Sequence, residues 1–74
     1  MSKKSDLKRQ IEDSEKEIEA LEAKLMRSQI SVMGAILNNQ EPSEIDKEYF
    51  RIYSKLIEVE RENLKTLYQQ FNAL

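Results

Sequence analysis

Asn38-Asn39-Gln40-Glu41-Pro42-Ser43 decides the fold of this chain, because helix-ending and helix-starting signals stand together nowhere else in it. Either asparagine can take the left-handed conformation that closes a helix, and Pro42 cannot continue one. Ser43, with Asp46 three residues on, resembles a capping box at the start of the next helix. The chain therefore reads as helix, turn, helix. Spans of about 5–38 and 44–72 give rods of roughly 48 and 43 Å at a rise of 1.5 Å per residue, and matched rods on a short loop fold back antiparallel. The expectation is an all-α antiparallel two-helix hairpin forming one domain over 1–74, with 1–4 a flexible N-terminus and 38–43 the turn.

On the N-terminal side of the turn, Leu7, Ile11, Ser14, Ile18, Leu21, Leu25, Ser28, Val32 and Ala35 recur in steps of four and three. That is a coiled-coil seam held for more than four heptads. Ser14 and Ser28 interrupt it and read as weak, solvent-exposed positions; the other reading is that they let a bulky facing side chain come close. Ser5 is the favoured N-cap, since a cap at Ser2 places Lys3 and Lys4 against the positive end of the helix dipole. Between Asp6 and Glu22 the other faces are charged and wet. From Leu25 onward the apolar arc widens, and Met26, Ile30, Met33 and Leu37 form a second stripe about 100° round from the first. Gly34 lies inside this arc at a cost of about 1 kcal/mol relative to Ala, which points either to close approach of another backbone or to a kink.

The second helix also carries two seams. Ile45, Tyr49, Ile52, Leu56, Val59 and Asn63 form one; Phe50, Tyr53, Ile57, Leu64, Leu67, Phe71 and Leu74 form the other, broken by Glu60. Together they cover about half the circumference, more than one antiparallel neighbour buries. Folding at the turn sets Leu37 near Ile45, Met33 near Tyr49, Ile30 near Ile52, Met26 near Leu56 and Ile11 near Phe71. Glu17 then faces Lys65, Lys24 faces Glu58, and the acidic run from Glu17 to Glu22 lies beside Arg61. Apolar surface is left over on both helices, and the residues expected to meet a protein partner are Met26, Ile30, Met33, Leu37, Phe50, Tyr53, Ile57, Leu64, Leu67 and Phe71.

Composition narrows the function from the other direction. The 74 residues include no Cys, His or Trp, one Gly and one Pro, with 35% charged residues and a formal net charge of −2. Such a small acidic protein has no field to hold polyanions by counterion release, so nucleic acid is not an expected partner. The N-terminal residues lack the apolar core of a signal peptide, and no run approaches the roughly 18 apolar residues that span a bilayer. A cytoplasmic protein without membrane insertion is the expectation. A hairpin of this size is marginal alone, because its core barely offsets an ordering cost of about 1.5 kcal/mol per residue.

No chemistry is legible. Without His or Cys the usual general base, thiolate nucleophile and imidazole or thiolate metal ligands are missing, so no catalytic residue, cofactor, metal or small-molecule substrate is expected. Glu60, alone within an apolar stripe, reads as an edge carboxylate paired with a Lys or Arg. Lys3, Lys4, Lys8 and Arg9 read as a solvated helix start, and Tyr49, Phe50, Tyr53, Tyr68 and Phe71 as packing residues.

Gln40-Glu41-Pro42-Ser43-Glu44-Ile45-Asp46-Lys47-Glu48-Tyr49 and Leu56-Ile57-Glu58-Val59-Glu60 give the chain an architecture that resembles the small helical-hairpin co-chaperones of type III secretion needle subunits. The resemblance is architectural and rests on no specific motif. It implies a hairpin that docks on a helical-repeat chaperone to keep a needle subunit monomeric. Ser54-Lys55-Leu56-Ile57-Glu58 resembles the Ser-Gln-x-Leu-Asp motif of small two-helix phosphatases of response regulators, with Lys55, Ile57 and Glu58 in place of its Gln, Leu and Asp. The function expected from the residues is a non-enzymatic interaction module, a small chaperone, adaptor or assembly component. Its partner is either a helical protein or another copy, the latter giving a homodimeric four-helix bundle of structural or regulatory use, such as a phage or virion component.

Overall fold

The computed structural model describes residues 2–74 and consists of α1 (Lys3–Leu37) and α2 (Glu44–Asn72), packed antiparallel as a hairpin. It is a rod of 55 × 15 × 14 Å. Its accessible surface of 5838 Å² exceeds by about 1,000 Å² the surface of a compact fold of the same mass. Two helices side by side have one shared seam and no third layer, so most of each circumference stays outside.

The turn is built as its sequence suggests. Asn39 takes a left-handed φ of 56°. The Gln40 N–H donates to the Ala35 carbonyl at 2.9 Å and the Asn39 N–H to Ile36 at 3.0 Å, the paired bonds of a Schellman closure. Ser43 then caps α2, its Oγ accepting from the Asp46 N–H at 3.1 Å. At the other end of the chain the expected cap is corrected. Ser2, not Ser5, caps α1 by accepting from the Ser5 N–H at 3.1 Å, so Lys3 and Lys4 lie within α1. A cap is worth about 1 kcal/mol, while the penalty for cations at a wet N-terminus is a few tenths and screened. Met1 lies outside the described residues.

The seam of α1 is the predicted one. Leu7, Ile11, Ser14, Leu21 and Ser28 are buried, and Ile18, Leu25, Val32 and Ala35 are half-buried. Against it packs the second of α2's two seams: Ile57 and Leu67 are buried, and Tyr53, Glu60, Leu64 and Phe71 are half-buried. The pairings of Met33 with Tyr49, Ile30 with Ile52, Met26 with Leu56 and Leu37 with Ile45 are therefore corrected, since all eight side chains are exposed. Ile11 does share a cluster with Phe71, Leu7, Leu64 and Leu67 near the termini.

Ser14 and Ser28 are also corrected, being 4% and 8% exposed rather than wet. Ser14 donates from Oγ to Glu60 Oε1 at 2.7 Å, and Asn63 donates to the same oxygen at 3.1 Å. Glu60 is thus satisfied by a serine and an asparagine, not by the Lys or Arg expected. Ser28 donates to the Lys24 carbonyl at 3.3 Å, one turn back. Along one flank Arg61 meets Glu22 at 3.0 Å, within the acidic run predicted to face it. Lys24 instead lies over the Tyr53 ring, 5.9 Å from its centre, and Glu58 pairs with Lys55 at 3.7 Å. Among the described residues no ion pair joins Glu17 to Lys65.

Candidate functional site

The hairpin is sealed at one end and open at the other. Among the described residues every buried apolar side chain, Leu7, Ile11, Leu21, Ile57 and Leu67, lies on the terminal side of Ser28 and Leu56. The cause is in the seam of α1. Toward the turn it offers Ser28, Val32 and Ala35, side chains too small to bury much area, while the bulky residues of that segment point away. Met26, Ile30, Met33 and Leu37 are 61%, 64%, 60% and 79% exposed. On α2, Ile45, Tyr49, Ile52, Leu56 and Val59 are exposed as well.

These two stripes do not share a face. On α1, Arg27 and Ser31 immediately precede the seam residues Ser28 and Val32, whereas Gln29 and Met33 immediately follow them. One residue is a 100° step, so the two sets lie on opposite sides of the seam. Tyr49 lines the groove beside Arg27 and Ser31, while Met33 lines the groove beside Gln29, Val32 and Phe50. Asn63, which continues the Tyr49 stripe, lines a groove with Gln10 and Asp13, on the same side as Arg27. The α1 stripe thus occupies one flank and the back of its helix, and the α2 stripe occupies the other flank. A single two-fold contact between hairpins cannot close both.

The expected partner-facing residues divide accordingly. Met26, Ile30, Met33 and Leu37 are on the surface. Ile57, Leu67, Tyr53, Leu64 and Phe71 instead form the hairpin's own core, and Phe50, 40% exposed, lies at its edge beside Val32 and Met33. The α2 surface is made by the neighbouring seam, Ile45, Tyr49, Ile52, Leu56 and Val59, which the sequence displays as a regular heptad row. The missing signal was direction: both α2 seams are apolar, and only the opposing α1 seam decides which turns inward. The seam of Tyr53, Ile57, Leu64, Leu67 and Phe71 is the one that packs inside, closing the terminal end with Leu7 and Ile11.

The electrostatics of this surface are mild. From Ala23 to Leu37, α1 carries Lys24 and Arg27 and no acidic residue. On α2 the exposed row Glu48, Lys55 and Glu62 runs beside the apolar stripe. Hydrogen bonding to Arg51 holds the Glu48 carboxyl below its ordinary range and raises the Arg51 guanidinium in return. The Tyr68 hydroxyl donates to the Glu15 carboxylate, which raises its pKa above that of free tyrosine. Tyr49 and Tyr53 stack with centroids 5.9 Å apart. Ser54 lines a groove with Glu58 on the Arg61 flank. Among the described residues no group of three acidic side chains is placed to hold a metal ion, and no helix is long and apolar enough to cross a membrane. No protein-family model, curated protein or solved structure matches the chain.

Proposed function

We propose that this chain is a non-enzymatic adaptor or small chaperone of the cytoplasm that holds a helical segment of a partner protein against the outer face of α1. The observation that carries the reading is the stripe Met26, Ile30, Met33 and Leu37, each at least 60% exposed and spaced i, i+4, i+7 and i+11. That spacing is the register in which one amphipathic helix lies along another. Two of the four are methionines, whose unbranched chains repack around differently shaped partners. Covering the exposed part of each side chain is worth about 1–2 kcal/mol, against a cost of association of at least about 4 kcal/mol. The contact is therefore of modest affinity and reversible, as suits a carrier.

The test compares the tagged chain with Ile30→Glu and Met33→Glu in native extract. A protein retained in stoichiometric amount by the parent chain should be lost from both variants, while their far-ultraviolet circular dichroism stays helical. Equal retention by Ile30→Glu would show that this flank is not the working surface.

A further inference from the structure

The α2 flank is a separate surface, and its pattern specifies what covers it. Ile45, Tyr49, Ile52, Leu56 and Val59 step by four, three, four and three. Two such rows run antiparallel can interleave so that four-residue steps face four-residue steps in three registers, and the one that pairs Ile45 with Tyr49 leaves Ile52 opposite Pro42 in the turn, so two remain. In one, Tyr49 meets Ile52 of a second copy and Ile45 meets Leu56, with the two-fold axis between Tyr49 and Ile52. In the other, Ile52 meets Leu56, but Ile45 is left opposite Asn63.

The charged row alongside makes the same choice. In the first register Glu48 of each copy lies beside Lys55 of the other, giving two reciprocal attractive pairs. In the second, Lys55 lies beside Lys55 and Glu48 beside Glu62, all repulsive. The first register also ends where the sequence ends it: Val59 falls opposite Pro42 in the turn of the second copy, and the polar Asn63 lies beyond. We propose that a second copy of this chain covers the α2 flank, antiparallel, through Ile45, Tyr49, Ile52 and Leu56, in the register set by Glu48 and Lys55.

The area is sufficient. At roughly 100 Å² from each of about five large side chains per copy, the contact buries on the order of 1,000 Å² in total, the lower bound for a specific interface. Glu48 is engaged within its own helix by Arg51, and Lys55 by Glu58, but these are exposed one-turn pairs that exchange readily. The α1 flank stays free in this dimer, so the contact is independent of the partner surface proposed above.

The experiment uses charge complementation, read by sedimentation equilibrium on the full chain. The parent chain should sediment at twice its 8.8 kDa mass. Glu48→Lys and Lys55→Glu, each alone, should weaken the dimer about tenfold, since each turns both attractive pairs into repulsive ones. An equimolar mixture of the two variants should recover the parent affinity within about twofold, because the heterodimer restores opposite charges at both sites. Met33→Glu should leave the dimer intact. A helical parent chain that stays monomeric at millimolar concentration overturns the proposal, and so does a dimer that ignores both single exchanges or that Met33→Glu disrupts. These outcomes say nothing about capture on α1, which Ile30→Glu tests by itself.

Discussion

Gly34 is the residue at which sequence reasoning asked for a compensation that the fold does not contain. A Cβ built there meets nothing within 4 Å, so no other segment of the chain needs the glycine for close approach. It also lies inside a continuous α1, where glycine costs up to about 1 kcal/mol relative to alanine. Gly34→Ala should therefore stabilise the free hairpin by roughly 0.5–1 kcal/mol in urea denaturation. If the same variant weakens partner capture, the glycine serves a contact outside the chain. Tyr68 makes a second prediction at this scale. Its hydroxyl is held protonated by Glu15, so the folded pKa lies above the unfolded one. The resulting stability is fully present below the unfolded tyrosine pKa of about 10 and is lost as pH rises through the folded value. Melting curves from pH 8 upward should show a decline that is shallower in Tyr68→Phe.

Between the two α2 seams, adjacent residues have opposite fates, and substitution separates them. Ile57→Ala removes a buried side chain at the centre of the hairpin and should cost about 2–5 kcal/mol, enough to unfold a marginal two-helix domain. Ile52→Ala, one seam over and exposed, should cost less than about 1 kcal/mol in dilute protein. Thermal denaturation of the two variants checks the assignment directly, and similar losses would contradict it. The elements themselves were legible, because a proline, a positive-φ asparagine and a serine cap announce the turn through local chemistry alone. The seam of α1 was legible for the same reason, having no apolar rival over its first half. What periodicity could not convey was which α2 seam faces inward, since that depends on the side chains of the opposing helix. Nor could it show Ser14 bonded to Glu60, a buried polar contact in which each residue looks like a flaw until the other is opposite it.

At the scale of the molecule, the asymmetry between a sealed terminal end and an open turn end dictates the shape of any assembly. A Cα radius of gyration of 16.8 Å, against about 11 Å for a compact domain of this length, already marks a rod with more surface than core. If apolar area alone governed association, two rods would align fully side by side and the pair would have a radius of gyration of only about 17–18 Å at an interaxial distance near 10 Å. The α2 stripe prevents this, because it is centred near Tyr49 and Ile52, about seven residues from the middle of the helix at Glu58. Antiparallel overlap about that point displaces the two rod centres along their axes by roughly 22 Å at 1.5 Å per residue. The dimer should be a staggered, Z-shaped particle with a radius of gyration of about 21 Å, its polar terminal ends protruding and its two α1 flanks open. Small-angle X-ray scattering at a concentration where sedimentation shows a dimer distinguishes the two shapes. A value near 17 Å would mean that the copies lie in parallel or in full overlap, and that the charged row beside the stripe does not set the register.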